Sequence, residues 1–281
     1  MSTLQRPRKT RALDLAILGV TLVVAAIWLL PMIWVVTMSL KPNESLMRST
    51  SGLLPIPFTF ENYINLMRVS AVPLWLYHSV VVALSMTLMV LVVSSLAGYA
   101  FARLDFPFKR TLFVLTIAGL MVPEHAVLIP LFTMFSDWGM HNSHAALVMP
   151  RVAVPIGVFL MTQFMRAIPR ELEEAAELDH ASHFTIFWRI MLPLSVPALT
   201  TLGLFTFIFA WNDFLWPLVS ATRADMFTVT VGLASIQGNF AFSEGLGSVM
   251  ASAVFASLPI VVLFLIFQRF IVAGVAMGAG K

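Results

Sequence analysis

The sequence contains no cysteine, and only 11% of its 281 residues are charged. The first absence excludes disulfides, thiol catalysis and cysteine-based metal sites. The second leaves too little polar surface for a chain dissolved in water, since soluble domains carry about 25% charged residues. Also missing is any Gly-x-x-x-x-Gly-Lys-Ser/Thr loop, the backbone cradle that holds nucleotide phosphates. No catalytic constellation takes its place, so an enzyme is not expected and no cofactor is expected on this chain. What is plentiful is apolar: 59% of the residues are hydrophobic, and the mean hydropathy is +0.90. The composition is that of an integral membrane protein.

Uncharged runs divide the chain. Asp14 and Lys41 bracket an unbroken run, Leu15 to Leu40. Further apolar stretches follow at 71–101, 111–135, 142–165, 195–219 and 247–268, interrupted by His78, Glu124, Arg151 and Asp213. Each reaches the ~20 residues that cross a hydrocarbon core. The first run is too long for the apolar part of a cleaved signal peptide, about 7–15 residues, and no A-x-A site follows it, so a retained helix is expected. The expected division is a basic tail over 1–14, a first span over 15–40, an outer loop over 41–70, a five-span core over 71–269 and a tail over 270–281.

Lysine and arginine orient the spans. With the N-terminus in the cytoplasm, inner segments carry twelve of them and outer segments carry Lys41, Arg48, Arg68 and Arg223. This asymmetry predicts both termini inside. The basic stretch 6–11 serves topology and calls for no nucleic acid. The outer stretch 41–73 reads as a loop with a short helix. The stretch 223–244 reads as an outward loop, free to meet a partner or to fold back onto the bundle.

An acidic island interrupts this apolar chain: ELEEAAELDHASHFTIFWRIMLPL, residues 171–194. On the predicted topology it lies in the cytoplasmic loop between the fourth and fifth spans, 167–193. Pro169 suits a helix start. Glu171, Glu173 and Glu174 fall in the first turns, where the helix dipole favours acids. Ala175 and Ala176 leave one side nearly flat, so another protein surface can approach closely. A bend is expected at Asp179–His180–Ala181. Ser182 is placed to cap a second helix, which carries Phe184, Phe187, Trp188 and Met191 and which Pro193 should end at Leu192. Pattern alone favours a solvated amphipathic connector.

EAAELDHA followed by IMLPL resembles the EAA loop of ABC importer permeases, usually written EAA-x-x-D-G-A…I-x-L-P. The likeness extends to Asn62-Tyr63, AGYAFARLDFP (97–107), IPLF (129–132), WNDFLWPL (211–218), VGLASIQG (231–238) and FQRFIVAGVAMGAGK (267–281). Over nearly the whole chain it resembles the second permease of maltose-type and glycerol-3-phosphate-type systems. The resemblance implies an all-α membrane protein with six transmembrane helices, the type I ABC importer permease fold, and a cytoplasmic EAA coupling helix. It implies a permease for a sugar or sugar-like solute in the cytoplasmic membrane of a prokaryote, surrounded by lipid. It further implies a second homologous permease subunit, a dimer of ATPase subunits that use ATP and Mg2+, and an extracytoplasmic solute-binding protein. The ATPase-docking residues would be Glu174, Ala175, Ala176, Leu178, Asp179, His180 and Ala181. His180 stands where the family has glycine, as a tolerated substitution or as a specific contact.

Four residues are candidates for the translocation path. Asn212 and Asp213 could line it, with Trp216 offering a face for stacking, or could pair across the subunit interface. Glu124, beside Pro123 and His125, could line it or pair with Arg151. His180 and His183 are only two potential ligands on a bend, too few for a metal site. A secondary transporter driven by an ion gradient is the rival class; it predicts internal repeats and transport-critical acids deep in the spans, and no repeat is visible. A membrane scaffold would leave the acidic cassette unexplained.

Overall fold

The computed structural model describes residues 8–48, 54–68, 71–243 and 245–279, with side chains described over 13–46, 54–68, 71–236 and 245–268. The basic residues Arg6 and Lys281, and the side chains of Arg8, Lys9, Arg11 and Arg269, lie outside them. Among the described residues all regular structure is helical. Three helices are long and apolar enough to cross a membrane, within Leu13–Ser39, Val72–Arg103 and Leu246–Gln268. Three bent pairs bring the number to six if each pair is one span: Lys109–Met121 with Glu124–Asp137 at 92°, His144–Arg151 with Pro155–Ala167 at 52°, and His183–Leu194 with Val196–Asn212 at 74°.

The chain divides into two compact units, residues 1–69 with 236–257, and residues 70–235 with 258–281. The first contains α1 (Arg8–Ser39), α2 (Asn43–Arg48) and α3 (Glu61–Arg68). From Leu13 to Ile33 the side chains of α1 are exposed on every side, as suits a helix whose solvent is lipid. Asn62 organises this unit. Its Nδ2 donates to the carbonyls of Ser39 and Lys41, both at 2.8 Å. The neighbouring Tyr63 shares a 2.7 Å hydrogen bond with Ser39. The stretch after the first span is thereby an ordered turn with two short helices, one more than expected.

The second unit is built on α4 (Val72–Arg103). Its buried residues recur at helical spacing: Trp75, Ser79, Val82, Met86, Val90, Ser94, Gly98 and Ala102. Around it come α5 (Lys109–Ala118), α6 (Leu128–Asp137), α7 (His144–Val148) and α8 (Pro155–Ala167). Then follow α9 (Glu171–Leu178), α10 (His183–Ile186), α11 (Leu192–Leu194), α12 (Val196–Asn212) and α13 (Leu215–Ser220). α14 (Val229–Ser243) and α15 (Leu246–Ala279) close the chain. Glycine sets the closest approach of α4 to α8. A Cβ on Gly98 would lie 2.6 Å from that of Met161, and one on Gly157 would strike Ser94 Oγ.

Two expectations need correction. The stretch 223–244 is not a loop from Val229 to Ser243, which form α14; of its two readings, folding back holds at the start of that helix. Trp75 lies against Gly232, leaving no room for a side chain at 232, and its indole N–H donates to Ala224 O at 2.7 Å. Tertiary packing overrides the weak helical tendency of a glycine-containing stretch. Nor does Pro193 end the second cassette helix. A π turn over Phe187–Met191 opens the ladder just before the proline, helix continues to Leu194, and the chain bends at Ser195.

Candidate functional site: the acidic cassette and an arginine-centred cluster

α9 follows directly on α8, through Ile168, Pro169 and Arg170. Glu171, Glu173 and Glu174 occupy its first turn. It ends in two reverse hydrogen bonds, His180 N–H to Glu177 O at 2.9 Å and Ala181 N–H to Ala176 O at 3.0 Å. That pattern requires a left-handed residue at position 180, usually glycine; His180 adopts it with φ 59°. Ser182 then caps α10, its Oγ accepting from Thr185 N–H. Bend and cap both fall at the predicted residues.

The cassette has two sides. Outward lie Glu174, Ala175, Leu178, Asp179 and His180, with Ala176 and Ala181 half-buried. Leu178 is 83% exposed and Phe184 71%, so apolar surface runs across the bend from α9 to α10. Inward, Ile186, Phe187 and Met191 are buried, and Phe187 packs on Tyr99 with ring centroids 5.3 Å apart. Glu173 also turns inward. Its carboxylate meets Arg103 Nε at 2.6 Å, the two side chains being 12% and 5% exposed. Arg103 also donates to Ile168 O, and Arg166 donates to Phe101 O at 3.3 Å. Burial pushes the Glu173 carboxyl above its usual range, against the pull of Arg103. Neither Arg103 nor Glu173 stands out in the sequence. The available signal was Arg103 within AGYAFARLDFP, with an acid adjacent to Glu174.

A second cluster gathers two span breaks and the C-terminal end of α12. Arg151, just before the break between α7 and α8, pairs with both Glu124 and Asp213. Glu124 directly follows the break between α5 and α6, and Asp213 ends α12. The Arg151 guanidinium also lies 5.1 Å from the ring centre of Phe209. Pairing of Glu124 with Arg151 was one of the two expected readings. Asn212 is exposed and donates to Ile208 O at 2.8 Å. Trp216 is placed otherwise than expected. It is 1% exposed, its indole N–H donates to Ala146 O at 2.8 Å, and its ring packs edge-on against Phe135. Inward packing leaves no open face for stacking a solute.

His78, unassigned by sequence, ties α4 to two other segments. Its Nε2 lies 2.8 Å from Asp225 O and its Nδ1 2.8 Å from His144 Nε2. A carbonyl only accepts, so Nε2 of His78 carries the proton and Nδ1 accepts from His144. Ser79 Oγ accepts from Val229 N–H at 2.7 Å. Together with Trp75, these contacts hold the segment leading into α14 against one end of α4.

Three long apolar helices and three bent pairs, with an ion-paired arginine at one of the breaks and an exposed acidic helix after the second pair, are the architecture of a membrane permease. Residues 91–277 match the family described as the binding-protein-dependent transport system inner membrane component, and the chain belongs to it. It is 37% identical over 256 residues to the trehalose transport system permease protein SugB of Mycobacterium tuberculosis, covering 90% of this chain and 92% of that one. It is 35% identical to the trehalose/maltose transport system permease protein MalG of Thermococcus litoralis, covering 95% and 96%. It is 33% identical to the arabinooligosaccharides transport system permease protein AraQ of Halalkalibacterium halodurans, covering 92% and 93%. The fold matches a chain of a bacterial ABC transporter involved in the import of the acidic polysaccharide alginate, with a TM-score of 0.81 at 20% identity, over 95% of this chain and 99% of that one. The chain is thus an ABC importer permease, an inner-membrane component rather than a catalytic subunit. Nothing in these likenesses supports a secondary transporter.

Proposed function

We propose that this chain is one half of the translocation pathway of an ATP-driven importer for a sugar or sugar-like solute. It works beside a second homologous permease, on a dimer of ATPase subunits, and receives solute from an extracytoplasmic binding protein. The names of the sugar permeases it resembles support the substrate class. The observation that carries the coupling role is the outward side of the cassette, where Glu174, Ala175, Leu178, Asp179 and His180 stand free on a helix anchored from behind by Glu173. Such a surface offers acids and an exposed leucine to a partner while its base stays fixed. Ala176 and Ala181 keep its flank low.

ATP and Mg2+ act on the partner ATPase. Closure of that dimer carries the cassette with it, and the spans switch from inward-facing to outward-facing. Both termini and the loop 167–193 lie in the cytoplasm, as the distribution of lysine and arginine indicates. The first span covers 15–40 and the core 71–269. Glu124, Asn212 and Asp213 border the path. Co-purification tests the reading: the ATPase should be recovered with this chain and be stimulated by solute-loaded binding protein. Glu174→Lys should cut that recovery at least tenfold and leave membrane insertion intact. Normal recovery would remove the cassette from the docking role.

A further inference from the structure

We infer that the Arg103–Glu173 ion pair is the joint through which displacement of the acidic cassette reaches the long helix α4. This inference rests on the coupling role proposed above and adds to it the residues that transmit the movement.

Beyond its bend the cassette is packed through Phe187 on Tyr99 of α4, and the start of α9 is attached to the bundle in two further ways. One is covalent, the three-residue link Ile168–Pro169–Arg170 from α8. A helix held at one such link can swing about it. The second attachment is Glu173, in the first turn of α9, on Arg103 at the last turn of α4. Held at two separated points, α9 cannot pivot without breaking a nearly buried ion pair, so it carries α4 with it. The same arginine also donates to Ile168 O, and Arg166 donates to Phe101 O. Both carbonyls belong to helix ends, whose last C=O groups lack intrahelical donors. One cation thus ties together the end of α4, the end of α8 and the start of α9.

α4 is the element able to distribute that movement. α8 lies against it with no room for a Cβ on Gly98 or Gly157, and on α12 a Cβ at Gly203 would meet Leu91 at 3.4 Å. Its far end holds the segment 224–229 through Trp75, His78 and Ser79. A closely packed helix of 32 residues transmits displacement rather than absorbing it. This gives a purpose to AGYAFARLDFP: Gly98 admits Met161, Tyr99 meets Phe187, and Arg103 holds Glu173. The adjacent glutamates divide the work, Glu174 facing the partner and Glu173 the bundle.

The test uses the complete transporter, with its natural partners, in liposomes. Glu173→Gln and Arg103→Gln should each still co-purify the ATPase, because the outward side is untouched, and solute imported per ATP hydrolysed should fall at least fivefold. Arg103→Lys, which retains the charge, should recover a substantial part of that ratio. A purely structural brace would lower yield or thermal stability and leave the ratio unchanged, and an unchanged ratio in Glu173→Gln overturns the joint. Should that variant fail to assemble, the unsubstituted pair decides. The chain has no cysteine, so spin labels placed through Asp105→Cys and Glu171→Cys, both exposed positions, report the distance from the end of α4 to α9 in a complex with cysteine-free partners. A separation that stays constant through ATP binding supports the joint, and a change of several ångströms overturns it. Failure of the coupling role itself looks different: no ATPase is recovered with the unsubstituted chain.

Discussion

The protein buries two arginines against carboxylates, in different company. Arg103 meets one carboxylate, Glu173, and a backbone carbonyl, so its site is electrically balanced. Arg151 meets two, Glu124 and Asp213, so its site carries an excess negative charge. Arg103 links the end of α4 to the start of α9 at the rim of the bundle. Arg151 links the breaks of two spans to the C-terminal end of α12. The balanced site is suited to holding two bodies together as they move. At the unbalanced site, losing one acid leaves a matched pair, whereas losing the arginine leaves two like charges without a counterion. In apolar surroundings an unpaired charge is costly.

The largest effect should therefore follow Arg151→Met. Removing one partner of a buried pair costs about 3–5 kcal/mol, and here two acids lose their partner. Thermal unfolding in detergent should show a midpoint lowered on the order of 10 °C or more. Asp213→Asn should come next and be milder, since Arg151 keeps Glu124. Glu124→Gln should be milder still, because its side chain is 44% exposed against 12% for Asp213. An Arg151→Met protein as stable as Glu124→Gln would end the comparison between the two sites.

Acid sharpens it from the other side. Burial raises the Glu173 carboxyl above the ordinary value of 4.5, so acidification breaks this ion pair sooner than an exposed one. The folded state takes that proton more readily than the unfolded state. Its contribution to folding stability is therefore full below the unfolded value and is lost as pH rises through the folded one. Solute imported per ATP should fall on acidification while this group adds no loss of thermal stability, measured on the same preparation against Glu173→Gln. The smallest effect is expected from His180→Gly. Glycine reaches a φ of 59° without strain, so stability should rise by about 1 kcal/mol or less. Coupled ATP hydrolysis should stay unchanged if the imidazole is only tolerated there.

The cassette was legible because its cues are local. A run of acids, a cap at Ser182 and a turn at His180 each depend on neighbours a few residues away. The three broken spans were legible only as apolar runs, marked by Pro123 and Pro197 and by the charges within them. The angles of their breaks come from packing. Arg103 and Glu173 were hidden because 70 residues of chain separate them, and nothing in ELEEAAELD distinguishes the acid that turns in from the one that turns out. Trp216 misled for a related reason. WNDFLWPL marks the family without revealing which indole finds a carbonyl inside the bundle. The stretch after Arg223 read as a loop, and its helix from Val229 depends on contacts distant in sequence, Trp75 against Gly232 and Ser79 on the Val229 N–H.

Uptake into liposomes that hold this chain with its partner permease and ATPase tests the central claim most directly. Solute should accumulate only when the binding protein is outside and ATP with Mg2+ is inside, and Glu174→Lys should abolish it. Uptake by this chain alone, driven by an ion gradient and indifferent to ATP, would contradict the account.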